Sequence, residues 1–94
     1  MRMRLLLRER RVVREGQFAE VVIWHLPESV PGSSHDFKYR LAFVVHEICV
    51  IRFDNEAGKG DHKHVGEKQV PYTFFSLSQL IADFWTEIEA WRPR

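Results

Sequence analysis

Alternation of apolar and polar positions organises the first half of the chain. From Met3 to Val13, Leu5, Leu7 and Val13 share one side of an extended segment with Glu9 and Arg11, while Arg4, Arg8, Arg10 and Arg14 take the other, interrupted by Leu6 and Val12. Glu15-Gly16-Gln17 reads as a turn, and Phe18 to Leu26, rich in β-branched and aromatic residues, as a second strand. A hairpin centred on Glu15-Gly16 sets Arg11 opposite Glu20 and Leu7 opposite Trp24. Pro27 to Ser34 contains two prolines, a glycine and three serines, which cannot continue a strand ladder and read as a loop.

Phe37 to Val45 and Ile48 to Phe53 read as a second hairpin turning at His46-Glu47. A two-residue turn there sets Tyr39 opposite Asp54 and Leu41 opposite Arg52, all four on one face. Ala42, Val44, Cys49, Ile51 and Phe53, with Arg40 at the end, then form the face that a helix covers. Residues 54–67 read as a polar loop and 69–75 as an extended segment, an edge strand broken by Pro71. The period then changes: Leu77, Leu80, Ile81, Phe84, Trp85, Ile88 and Trp91 recur at helical spacing. Ser76 and Gln79 fit a capping box at the start of this helix, and Pro93 stops it. The pattern predicts an α+β fold over residues 1–94 as a single domain: an antiparallel sheet of four to five strands, built from two successive hairpins, covered on one face by a single C-terminal helix.

Composition refines this picture only locally. An apolar content of 45% with 13% aromatics suffices for a packed core, although a chain of 94 residues has a thin folding margin and leaves homodimerisation or a partner chain open. The net charge is +1, but Arg2, Arg4, Arg8, Arg10, Arg11 and Arg14 crowd the first fourteen residues against Glu9 alone, a footprint for phosphate or a solvated strand face. Cys49 is the one cysteine, which excludes an internal disulfide; its apolar neighbours predict a small buried hydrophobe. The N-terminal leucine run is too short for a secretory signal and no apolar stretch approaches a membrane span, so a cytoplasmic protein without membrane partners is expected.

The chemistry concentrates between Arg52 and Glu67, where three glycines separate a dense set of ionisable side chains. Asp61, His62 and His64 are candidate ligands for a divalent metal, with Asp54 or Glu56 completing the shell. His62 and His64 alternate, so in an extended segment both rings project the same way. The same residues suit metal-free RNA cleavage, in which a histidine takes the 2′-hydroxyl proton, an acid protonates the leaving oxygen and a cation steadies the phosphorus oxygens. Phosphate binding without catalysis is a third option, through Lys59, Lys63 and glycine N–H groups, and a solvated loop a fourth. No cofactor is certain from the sequence, and the absence of a Gly-Lys-Ser/Thr sequence argues against a nucleotide-binding P-loop. His25, His35 and His46 read as structural or solvated, and Trp85 and Trp91 as core.

Three segments together resemble the TumE-like toxin family of bacterial toxin–antitoxin modules: Pro31-Gly32-Ser33-Ser34-His35-Asp36-Phe37-Lys38-Tyr39-Arg40-Leu41, then Phe53-Asp54-Asn55-Glu56-Ala57-Gly58-Lys59-Gly60-Asp61-His62-Lys63-His64, and finally Pro71-Tyr72-Thr73-Phe74 with Leu80, Asp83 and Phe84. The resemblance implies a growth-inhibiting toxin neutralised by a cognate helix-turn-helix antitoxin. By analogy with other small toxins of such modules it implies an RNA-directed endoribonuclease of the mRNA interferase type. On that reading Asp54, Asp61, His62 and His64 are the expected catalytic residues, and Tyr39, Arg40, Arg52, Lys59 and Lys63 the substrate-binding ones. The alternative is a non-catalytic module that binds nucleic acid or protein through residues 54–67 and the N-terminal arginines.

Overall fold

The computed structural model describes residues 2–29, 31, 34–56 and 58–93. Val30, Gly32, Ser33 and Ala57, which belong to the loop and motif readings above, lie outside the described residues. The elements run β1 (Arg4–Arg14), β2 (Gln17–His25), β3 (Phe37–Val45), β4 (Ile48–Glu56), β5 (Gly60–Val65), β6 (Lys68–Pro71) and α1 (Leu77–Ala90). The strands form one antiparallel sheet in the order β1-β2-β3-β4-β5-β6, each paired with its chain neighbour. The α+β class and the single covering helix follow the sequence pattern; the sheet has six strands rather than four to five.

The extra strand comes from the stretch read as a loop over residues 54–67. β4 continues to Glu56, and Gly58 and Gly60, at φ 81° and 73°, turn the chain back into β5. Charge hid a period-two segment there: the side chains of β5 alternate although none is a large hydrophobe until Val65. β6 is the expected edge strand, and it ends at Pro71.

Register shifts in both hairpins change the faces that simple turn counting gives. Near the His46-Glu47 turn, both at positive φ, the pairs Val45↔Ile48 and Val44↔Cys49 are those the sequence predicts. A register shift between Phe43 and Val44 then moves β4 by one residue, so Arg40 pairs with Asp54 and Leu41 with Phe53. One residue of slip reverses the faces. The helix side therefore carries Tyr39, Leu41 and Phe43 with Ile51 and Phe53, not Ala42 and Val44, and Tyr39 does not share a face with Asp54. In the first hairpin the shift between Val12 and Arg14 sets Arg10, not Arg11, opposite Glu20, and Leu7 opposite Ile23 rather than Trp24. Cys49, beside the turn, is exposed and not the buried hydrophobe its neighbours suggested.

α1 seals the core with Leu80, Phe84 and Ile88 against Ala19, Val21 and Ile23 of β2 and the apolar side of β3 and β4. Phe84 meets Phe53 edge-on at 5.9 Å between centroids, and Trp91 meets Phe43 at 5.8 Å. Ser76 caps the helix by accepting the Gln79 N–H at 3.1 Å. The reciprocal half of the expected capping box is replaced: Gln79 Nε2 donates to Asp83 Oδ1 at 2.7 Å. No helix among the described residues is long and apolar enough to cross a membrane.

Candidate functional site

Strand alternation divides the polar stretch between the two sides of the sheet. Asp61 and Lys63 point to the helix side, and His62 and His64 to the open side. The pairings Arg40↔Asp54↔His62 and Ala42↔Arg52↔His64 form two adjacent cross-strand rows on that open side. Four of the expected residues, Arg52, Asp54, His62 and His64, are thereby gathered in one cluster.

Within it, His62 Nε2 lies 2.8 Å from Asp54 Oδ1, and Arg52 Nε lies 3.1 Å from Asp54 Oδ2. Arg52 Nη2 donates to His64 Nε2 at 3.0 Å. A guanidinium can only donate, so His64 carries its proton on Nδ1. Burial, then the Arg52 cation, hold the His64 pKa below the usual 6.5 and keep the ring neutral. His62 faces oxygen on both nitrogens, with Nδ1 3.2 Å from the Gly60 carbonyl and Nε2 toward Asp54. The two imidazoles stand edge-to-face at 5.1 Å between centroids.

The cluster is largely withdrawn from solvent: Asp54 is 7% and His62 5% exposed. Although Arg52 Nε and Asp54 Oδ1 lie at ion-pair distance from their partners, both are buried without an aligned hydrogen bond. Buried polar atoms left so are uncommon. The metal-ligating atoms of Asp54, His62 and His64 all lie within 4.8 Å of one another, a donor set suited to a divalent ion. Asp61, the carboxylate expected in that set from sequence, is on the other side of the sheet.

There Asp61 belongs to a second buried group. Its Oδ2 accepts from the Tyr39 hydroxyl at 2.7 Å and lies 2.6 Å from His35 Nε2. His35 Nδ1 accepts the Phe37 N–H at 3.1 Å, which places the ring proton on Nε2, toward Asp61. Phe74 stacks on the His35 ring at 3.8 Å. Burial, followed by the bond to Asp61, pushes the Tyr39 phenol up and keeps it neutral. Asn55, fully buried, extends the same side: its Oδ1 accepts the Tyr39 N–H at 3.0 Å and its Nδ2 donates to the Phe37 carbonyl at 2.7 Å. Its side chain thus replaces the ladder bonds where β4 parts from β3. His35, read from the sequence as structural or solvated, and Asn55, not singled out there, had one signal of this role, their place in the two quoted segments.

The remaining expected residues are dispersed. Lys63 pairs with Glu87 of α1 at 2.7 Å, and exposed Lys59 pairs with Glu56 at the β4–β5 turn at 3.4 Å. Arg40 stays on the open side, half exposed, within 4.0 Å of Glu20. It lines a groove of about 450 Å³ with Trp24, Lys38, Arg52 and Asp54.

Fold and site together define a small α+β protein with a histidine–arginine–carboxylate cluster on the uncovered side of its sheet. The family model described as Toxin TumE matches residues 2–92, and the chain belongs to that toxin family. Membership makes it a toxin of the toxin–antitoxin kind and implies an antitoxin partner. No curated protein and no solved structure matches the chain.

Proposed function

We propose that the toxin is an endoribonuclease whose chemistry is carried by Arg52, Asp54, His62 and His64. The observation that supports this reading most directly is the His64 imidazole, held neutral with a guanidinium on its Nε2, 5.1 Å from the His62 ring. A phosphodiester entering the cluster competes for Arg52, and its charge draws the guanidinium off His64 Nε2. That nitrogen then accepts the 2′-hydroxyl proton as the 2′-oxygen bonds to phosphorus. Arg52 balances the charge gained by the phosphorus oxygens. His62 gives its Nε2 proton to O5′ as the P–O5′ bond breaks, leaving a 2′,3′-cyclic phosphate and a 5′-hydroxyl. Asp54 holds Arg52 and His62 in register and is a positioning residue. The cognate antitoxin, of the helix-turn-helix kind suggested by the family resemblance, opposes this activity in the cell.

The test compares purified wild type with His62→Ala and His64→Ala on a defined RNA and on the same strand with 2′-deoxy substitution at the cleaved position. Wild type cleaves only the ribose form, and both variants lose about a hundredfold or more in rate. Equal cleavage and equal toxicity in cells for all three proteins overturns the assignment.

The mutual approach of the Asp54, His62 and His64 ligand atoms favours a second reading, in which these three residues hold a divalent metal. Such an ion would supply Lewis-acid stabilisation of the phosphate, and activity would then fall with chelator and return with metal. RNA binding without turnover would identify the non-catalytic alternative.

A further inference from the structure

We infer that the groove on the open side of the sheet is a single-strand subsite, in which one unpaired RNA base stacks on Trp24 while its phosphates run past Arg40 to Arg52. This rests on the ribonuclease reading for what happens at Arg52, but the groove is argued from its own residues.

Cross-strand pairing fixes the layout. Trp24 stands opposite Lys38, and two residues along the strands Val22 stands opposite Arg40, which in turn stands opposite Asp54. An aromatic ring, two cations and the cluster therefore follow one another on one face, with the aromatic row about 7 Å from the Asp54 row. The groove of about 450 Å³ joins them, lined by Trp24, Lys38, Arg40, Arg52 and Asp54 together.

The chemistry of these groups suits a single strand. Trp24 is half-buried on the open side of the sheet; Trp85 and Trp91, half-buried as well, pack against the core on the helix side, beside Phe84 and Phe43. Stacking on an indole requires a base already free of its duplex neighbours, so a paired helix cannot use it. Arg40 lies 4.0 Å from Glu20, an exposed contact that a phosphate displaces at little cost. Lys38, whose Nζ donates to the Asn55 carbonyl, stands opposite Trp24 and so beside the base. Glu20 and Glu56 border the track and disfavour binding that relies on charge alone, which leaves stacking to select the ligand.

The test measures binding of a fluorescein-labelled ten-nucleotide RNA and of the same sequence as a duplex, at about 100 mM salt, with the non-cleaving His64→Ala protein. Trp24→Ala in that background is expected to weaken single-strand binding about tenfold or more, and Trp24→Phe to restore most of it. Arg40→Ala weakens binding and lowers the salt slope by about one, and the duplex binds at least tenfold more weakly. Unchanged single-strand binding by a folded Trp24→Ala protein, or equal affinity for the duplex, overturns the proposal. So does a Trp24 indole shielded by the antitoxin and untouched by RNA. Should Trp24→Ala not fold, Trp24→Phe, Arg40→Ala and the duplex comparison decide. The two readings fail separately: single-strand binding through Trp24 in a wild type that cleaves nothing removes the ribonuclease and keeps the groove, while normal cleavage by Trp24→Ala does the reverse.

Discussion

Asp61 and His62 are consecutive in the chain and belong to different chemistry. Asp61 accepts the Tyr39 hydroxyl at 2.7 Å on the helix-covered side, while His62 meets Asp54 at 2.8 Å on the open side. One peptide bond separates a group that holds the fold together from a group in the candidate site.

The buried phenol should therefore report on stability. Tyr39→Phe removes the hydroxyl from Asp61 and is expected to cost about 1–2 kcal/mol in chemical denaturation. Per folded molecule its rate on RNA should change much less than that of Arg52→Lys. An equal loss of rate in the two variants would bring Tyr39 back to the site.

Arg52 bridges Asp54 and His64 through two different nitrogens. A lysine cannot span both partners, because its charge sits at a single point. Arg52→Lys should reduce the cleavage rate about a hundredfold with a smaller effect on single-strand affinity, measured by single-turnover kinetics at saturating enzyme.

The direction of the His64 shift sets a pH dependence. Its folded-state pKa is below the ordinary 6.5, first through burial and then through the Arg52 cation. The unfolded chain therefore takes up the proton at higher pH than the native one, and stability falls as the pH drops from 6.5 toward the depressed value. Melting temperature should decline over that interval more steeply in wild type than in His64→Gln. If His64 is the base, the acid limb of the rate profile has its midpoint below 6.5.

Asn55 offers a prediction about architecture. Replacing it by alanine strands the Tyr39 N–H and the Phe37 carbonyl, and should cost about 2–4 kcal/mol. Hydrogen exchange should rise at Tyr39 and at its neighbours on the Phe37 side of β3 before the rest of the sheet.

Gly16 sits at φ 73°, and a methyl group there would lie 2.6 Å from the His46 ring. Gly16→Ala is expected to destabilise by about 1–2 kcal/mol. A double variant with His46→Ala should recover the part due to the clash and keep the part due to the backbone.

The sequence pattern reveals the long strands, the helix and the polar stretch because each leaves a periodic or compositional trace. The register shifts at Val12–Arg14 and Phe43–Val44 leave none, since an extra residue among apolar neighbours looks like more strand. That single slip explains why Tyr39 was expected beside Asp54 and why the β3 half of the core was inverted. β5 was hidden for a different reason: its inward positions are filled by Asp61 and Lys63, whose partners, Tyr39 and Glu87, are far away in sequence. The His62/His64 pairing on one face was legible, because alternation alone dictates it.

The uninterrupted meander has a consequence for synthesis on the ribosome. Each strand can zip onto the one made just before it, so the rows that carry Arg52, Asp54, His62 and His64 are paired early. Leu80, Phe84 and Ile88 arrive only after all six strands. Until then the nascent sheet shows a bare apolar face with Leu41, Phe43, Ile51 and Phe53 at its centre, the kind of surface that chaperones and neighbouring chains seek.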